Sequence, residues 1–122
     1  AIADLNRLGF DDDGALIIGG SVTLATIEHF LEHAIKEQPP EATRGLSAIV
    51  DMLHWFASAQ IRNVAVLAGN IVTASPISDL NPVLMALGAS LMLASAGAAP
   101  REVLVRDFFK SYRVVDMQPS EV

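Results

Sequence analysis

A chain of 122 residues can enclose one domain's core, and eight Lys and Arg against fourteen Asp and Glu, a net charge of -6, leave no basic stripe for a nucleic-acid backbone. Hydrophobic residues make up 52% and mean hydropathy is +0.42, an excess that points to surfaces covered by neighbouring polypeptide. The absence of Cys excludes disulfides, thiolate zinc and iron-sulfur ligation within these residues, and no apolar run reaches the roughly 20 residues that span a bilayer.

The opening Ala1-Ile2-Ala3-Asp4 has neither an initiator Met nor the basic and apolar regions of a signal peptide, so the segment is expected to belong to a longer chain. Asp11-Asp12-Asp13-Gly14 reads as a turn, and the apolar run from Ala15 to Gly20 as a short buried strand entering a glycine pair. From Thr23 to Glu37, Leu24, Ile27, Leu31, Ala34 and Ile35 recur at helical spacing. Thr23 or Ser21 can cap this helix and Pro39-Pro40 ends it. A second helix is predicted from about Thr43 to Ala57, with Leu46, Ile49, Val50 and Leu53 inward and Trp55 and Phe56 delivered at its end.

Beyond Val64 the chain is expected to turn through Ala68-Gly69-Asn70 and run extended along Ile71-Val72-Thr73 to a turn at Ser75-Pro76. Asn81 is the candidate cap of a short helix with Pro82 in its first position and Gly88 beyond its end. Residues 89–95 and 102–105 read as strands joined by a loop holding Gly97 and Pro100. The order mixes strands and helices without strict alternation, which is the α+β class, with antiparallel pairing near the end. Met52, Met85 and Met92 are expected in the core, and Trp55 half-buried at a domain interface.

The stretch from Gly69 to Met85 holds the most chemistry. Gly69 and Asn70 accept positive φ and could present amides to an anion. Thr73, Ser75, Ser78 and Asp79 offer hydroxyls and a carboxylate for a ribose or ribityl chain. A tight turn followed by an ordinary capped helix has the same composition, and spacing alone does not choose between them. His29-Phe30-Leu31-Glu32-His33 matches the inverted zinc-protease pattern, but its stripe lies opposite the helix's apolar face and lacks a nearby third ligand, so it reads as a solvated face. Asp11 to Gly14 lacks the spacing and terminal Glu of a calcium loop. Arg106 and Arg113 have only their charge to suggest a phosphate.

Trp55-Phe56-Ala57, then Gln60-Ile61-Arg62-Asn63-Val64-Ala65, then the unbroken run from Gly69 to Met85 resemble the FAD-binding domain of the molybdenum hydroxylases. The likeness continues through Asp4-Leu5-Asn6, Gly20 to Leu24, and Phe108 to Arg113. The unbroken string Thr73-Ala74-Ser75-Pro76-Ile77-Ser78-Asp79-Leu80-Asn81-Pro82 is similar to the xanthine dehydrogenase/oxidase branch rather than to the aldehyde oxidases. An aldehyde oxidase-like FAD domain and a non-catalytic scaffold are the alternatives.

The resemblance implies one part of an FAD-binding domain over 1–122, with helices packed on a mainly antiparallel sheet. A first FAD loop would precede this segment and further FAD contacts would follow it. By the same resemblance Phe56 packs against the flavin, Val66, Leu67, Ala68, Gly69 and Asn70 wrap the cofactor, and Thr73 and Asp79 hydrogen-bond it. Relatives usually carry Ser at position 66, Gly at 68 and often Arg at 54, where this chain has Val66, Ala68 and His54. No catalytic residue and no metal ligand is expected in this segment. The implied parent is a cytoplasmic homodimer, the peroxisome being the alternative location, with molybdopterin and two 2Fe-2S clusters on other domains. It hydroxylates hypoxanthine and xanthine to urate, passing electrons from Mo to 2Fe-2S to FAD and on to NAD or O2.

Overall fold

The fold is that of a computed structural model, described for residues 2–122. Between Asn70 and Ile71 the chain divides into two compact units.

The first unit opens with a 3-10 turn at Asp4–Asn6, followed by strands β1 (Leu8–Phe10) and β2 (Leu16–Ile18). The strands pair antiparallel, with Leu8 opposite Ile18 and Phe10 opposite Leu16. Their connection is the expected turn: Asp11 Oδ1 accepts the amides of Asp13 at 3.0 Å and Ala15 at 2.8 Å, and Gly14 has φ +83°. The backbone then lies directly on the opening segment, Gly19 N–H donating to Arg7 O and Ser21 N–H to Leu5 O, each at 2.7 Å. A Cβ on Gly19 would sit inside the Leu5 carbonyl, so this glycine is needed for close approach of two backbones.

Helix α1 (Leu24–Glu37) begins at Thr23, whose hydroxyl accepts the Thr26 amide at 3.3 Å. It buries Leu24, Ile27, Leu31 and Ala34, four of the five positions that the helical period predicts. Helix α2 (Pro40–Trp55) starts three residues before the predicted Thr43, because Pro40 occupies the first turn, where a missing N–H is no loss. Thr43, Ile49 and Leu53 are its buried residues, while Leu46 and Val50 are partly covered. The helix stops at Trp55, and Ala57 turns the chain with φ +48°. Trp55 is 83% exposed within this chain. Helix α3 (Ala59–Arg62) follows, capped by Ser58.

The segment predicted to turn at Ala68-Gly69-Asn70 and then extend is helical instead. Helix α4 spans Leu67–Val72, and neither Gly69 nor Asn70 has positive φ. Asn70 N–H donates to Val66 O at 3.1 Å, so that amide is spent on the helical turn. The reason is burial: helical spacing places Ile71 four residues after Leu67, and Ile71 is 3% exposed. The left-handed residue falls at Ala74 (φ +47°), whose N–H returns to Ile71 O.

The second unit holds α5 (Leu80–Ala86), strands β3 (Ser90–Leu93) and β4 (Arg101–Leu104), the single turn α6 (Val105–Phe108), and strands β5 (Phe109–Ser111) and β6 (Val114–Val115). Its core is Ile71, Ala74, Leu80, Leu84, Leu93, Val105 and Phe108. Gly88 ends α5 with φ +69° as expected, but Asn81 and Pro82 lie in its second and third positions, not at the cap and first position. Met85 and Met92 are 39% and 62% exposed, which corrects their assignment to the core. Every strand pair in the described residues is antiparallel, in three separate two-stranded sheets, β1-β2, β3-β4 and β5-β6. Helices with small antiparallel sheets are the expected α+β class, though no single sheet collects the strands. No described helix is long and apolar enough to cross a membrane.

Arg101 on β4 ties the C-terminal residues of the chain to that strand. Its Nε and Nη2 donate to the two Glu121 carboxylate oxygens at 2.7 and 2.9 Å, and Nη1 and Nη2 reach Asp116 Oδ2 and O at 3.3 and 2.9 Å. Ala94 and Val122 exchange backbone hydrogen bonds at 3.0 and 2.8 Å beside it. The guanidinium, with the Gln118 amide, holds the Glu121 carboxyl down at about 2 against an ordinary 4.5, and the same pairing raises Arg101.

Replacing Gly19 with Ala is expected to cost about 3 kcal/mol, because a backbone carbonyl cannot yield to the new methyl as a flexible side chain would; thermal or urea unfolding measures it. The carboxylate of Glu121 binds its proton less readily folded than unfolded, so its stabilisation is present above pH 4.5 and lost as pH falls towards 2. Glu121→Gln should flatten the melting temperature across that window; an unchanged acid slope would show that the clip does not set it.

Candidate functional site

In the first unit the site residues are arranged around the start of α1. Leu24 N–H donates to Ala65 O at 2.9 Å, and Thr23 and Val66 form an isolated antiparallel bridge. This pairing places Val66 and the beginning of α4 beside the glycine pair that precedes α1. A Cβ on Gly20 would lie 3.3 Å from Ala68 Cβ, and one on Gly69 would lie 3.3 Å from Val66 Cγ2. The two departures at positions 66 and 68 therefore fill their side of the segment, and glycines opposite them supply the room. Asn70 closes the segment with a buried Oδ1 that has no hydrogen-bond partner in the structure. A buried acceptor left unmet is costly, and a donor brought by a ligand would satisfy it.

Phe56 caps the C-terminal end of α2 and is half-buried, in contrast to Trp55 beside it. Arg62 on α3 donates from Nη1 to the carbonyls of Phe56 at 2.8 Å and Ala57 at 3.2 Å, and from Nε to Glu28 Oε2 at 3.1 Å. His54 meets the Trp55 ring edge-on at 5.2 Å. On α1, His29 and His33 have ring centroids 5.9 Å apart, and His33 Nδ1 is 3.5 Å from Glu37 Oε1 in an exposed pair. Among the described residues no three His, Cys, Asp or Glu side chains come together to hold a metal.

Thr73 and Asp79 belong to the second unit, both exposed, Asp79 immediately before α5. Between them Ser75 Oγ accepts the Ile77 amide at 3.3 Å and Ser78 Oγ accepts the Asn81 amide at 3.2 Å. The N-cap residue of α5, Asp79, makes no side-chain capping bond; Ser78, one residue before it, accepts the Asn81 amide instead. Asn81 is 5% exposed with its Oδ1 unpartnered, and it lines an open cavity of about 360 Å³ with Ser75, Ser78, Met85, Phe109 and Tyr112. Sequence reasoning passed over Asn81 and Tyr112 as lining residues. An Asn followed by Pro is a familiar helix start, and nothing local shows that a serine three residues earlier accepts its amide. Arg113, left-handed at φ +54° in the β5-β6 turn, lies over the Tyr112 ring at 5.7 Å.

Over residues 1–122 the chain matches the family model described as the FAD binding domain in molybdopterin dehydrogenase. The chain belongs to this family. It is 44% identical over 121 residues to a xanthine dehydrogenase of Oryza sativa subsp. japonica and 43% identical over 121 residues to the xanthine dehydrogenase/oxidase of Gallus gallus; each alignment covers 99% of this chain and 9% of the relative. The chain therefore spans about a tenth of the length of the curated relatives it matches. Among solved structures, reconstituted CO dehydrogenase from Oligotropha carboxidovorans superposes with a TM-score of 0.79 at 21% identity, over 98% of this chain and 38% of that one. Quinoline 2-oxidoreductase from Pseudomonas putida 86 gives 0.75 at 23% identity, over 99% and 39%. At that identity the likeness shows the fold alone.

The residues present fit the cofactor named by the family. Its ribityl hydroxyls can donate to an unmet acceptor such as Asn70 Oδ1, and the half-buried Phe56 can offer a ring face. In the second unit, Ser78→Ala should cost about 1 kcal/mol by removing its bond to the Asn81 amide, read as a lower melting temperature and faster amide exchange in α5. An unchanged melting temperature and unchanged α5 exchange would mean that the bond contributes nothing.

Proposed function

We propose that this segment holds FAD in a xanthine dehydrogenase-like molybdenum hydroxylase. The observation that carries the reading is a family match along the whole segment, with a buried, unpartnered Asn70 acceptor inside the stretch that the resemblance assigns to the cofactor. Phe56 supplies an aromatic face. Val66, Leu67, Ala68, Gly69 and Asn70 form the close-fitting wall beside the start of α1, and Thr73 and Asp79 supply polar partners. Because α4 is helical, this wall acts through its tight packing and the Asn70 side chain more than through a row of open backbone amides.

Bound FAD supplies the redox chemistry; the protein binds it, orients it and sets its surroundings. In the parent enzyme this reading has hypoxanthine and xanthine hydroxylated to urate at molybdenum, with electrons passing through 2Fe-2S centres to the flavin and leaving to NAD or O2. The substrate assignment draws its support from the xanthine dehydrogenases at 39–45% identity. The parent is a cytoplasmic homodimer in which the rest of one FAD-binding domain, together with molybdopterin and iron-sulfur domains, covers the exposed apolar surface of this segment. Trp55, Val64 and Ile77, at 83%, 75% and 85% exposure, are the side chains that such neighbours would cover.

In the full-length gene product, Asn70→Ala and Asp79→Ala should each weaken FAD retention by about 1–3 kcal/mol, the typical cost of removing one polar partner from a buried group. The flavin-to-polypeptide ratio after gel filtration reads this directly. Full flavin content in both variants would overturn the site, and a native product free of flavin would overturn the function.

A further inference from the structure

We infer that Arg62, held by Glu28, is a positioning residue that fixes the Phe56 ring. The inference rests on the reading of Phe56 as a flavin contact. Its basis is the corner between α2 and α3, where one guanidinium nitrogen accepts responsibility for two consecutive carbonyls: Arg62 Nη1 donates to Phe56 O at 2.8 Å and Ala57 O at 3.2 Å. Successive carbonyls of an extended chain point to opposite sides. Their convergence on one atom requires a twist between them, and Ala57 supplies it with φ +48°.

A left-handed alanine persists only where its surroundings over-determine it, and the guanidinium does that here. It is itself held from a different element: Nε donates to Glu28 Oε2 on α1 at 3.1 Å, and both side chains are only 16% exposed. The planar fork fixes the direction of Nη1 once Nε is engaged, which a lysine ammonium cannot do. Phe56 is further tied from its own N–H to Leu53 O at 3.1 Å. With backbone held on both sides, the chain sends Trp55 outward, 83% exposed, and keeps Phe56 half-buried. The ring's direction is then set by an ion pair anchored on α1, the same helix whose start positions Val66 and α4.

The test uses the full-length, flavin-loaded gene product and the variants Arg62→Lys, Glu28→Gln and Phe56→Leu. The readouts are the induced circular dichroism of the flavin band per bound flavin, the FAD dissociation rate and the melting temperature. Phe56→Leu should alter the flavin dichroism, and Arg62→Lys and Glu28→Gln should alter it in the same sense, with FAD released roughly tenfold faster for the loss of a charged hydrogen bond. Glu28→Gln keeps the side-chain shape, so it carries the test if Arg62→Lys does not fold. A lower melting temperature with unchanged dichroism per bound flavin in both clamp variants, while Phe56→Leu changes it, would overturn the positioning role and leave the Phe56 contact standing. Unchanged dichroism in all three would remove the Phe56 contact and the inference with it.

Discussion

The pairing of the start of α1 with residues 65 and 66 is the constraint on which the first unit depends. One hydrogen bond from Leu24 N–H to Ala65 O and the adjoining Thr23-Val66 bridge bring a late segment onto the helix's opening turn. That segment cannot lie there unless the preceding chain is small, and Gly20 faces Ala68 at the limit of contact. Gly19 in turn must lie on the Leu5 backbone for the chain to enter α1 at that place. Two adjacent glycines thus serve two different close approaches, one to backbone and one to a side chain. The proposed cofactor wall from Val66 to Asn70 hangs from this corner, and Glu28, one turn into α1, reaches the guanidinium that holds the Phe56 carbonyl.

Backbone strain is placed where elements meet. Ala57 follows α2, Ala74 follows α4 and Arg113 forms the β5-β6 turn, all three with left-handed φ in residues other than glycine. Each is compensated nearby. Ala57 has its carbonyl held by Arg62, Ala74 is buried and returns its N–H to Ile71, and Arg113 extends over the Tyr112 ring. A glycine at these positions would reach the same conformation with less strain but would admit many others in the unfolded chain.

Helices with strong periodicity were legible in the sequence, and so were turns with local chemistry. A cap at Thr23 or Ser21 for α1, a turn at Asp11 to Gly14 and Gly88 ending α5 all rest on bonds or angles settled within four residues, so composition reveals them, whereas strand β1 before that turn was not legible. Asn70 and Gly69 were misleading because their tolerance of positive φ is a permission and not a requirement. Burial of Ile71 on a helical face outweighed it. The methionines failed for a related reason: Met85 and Met92 are apolar, but apolar residues also make up much of any surface.

By itself the sequence determined the α+β class, the extents of α1 and α5 to within a few residues, and through its unbroken motifs the family of FAD-binding domains. These follow from short-range physics and from strings specific enough to be matched without coordinates. Only the tertiary structure decided that 67–72 is helical, that Ser78 Oγ takes the Asn81 amide, that Asn70 and Asn81 each bury an unmet acceptor, and that Arg62, paired with Glu28, holds the Phe56 carbonyl. Those outcomes depend on which distant residues share one small volume, and no local propensity carries that information.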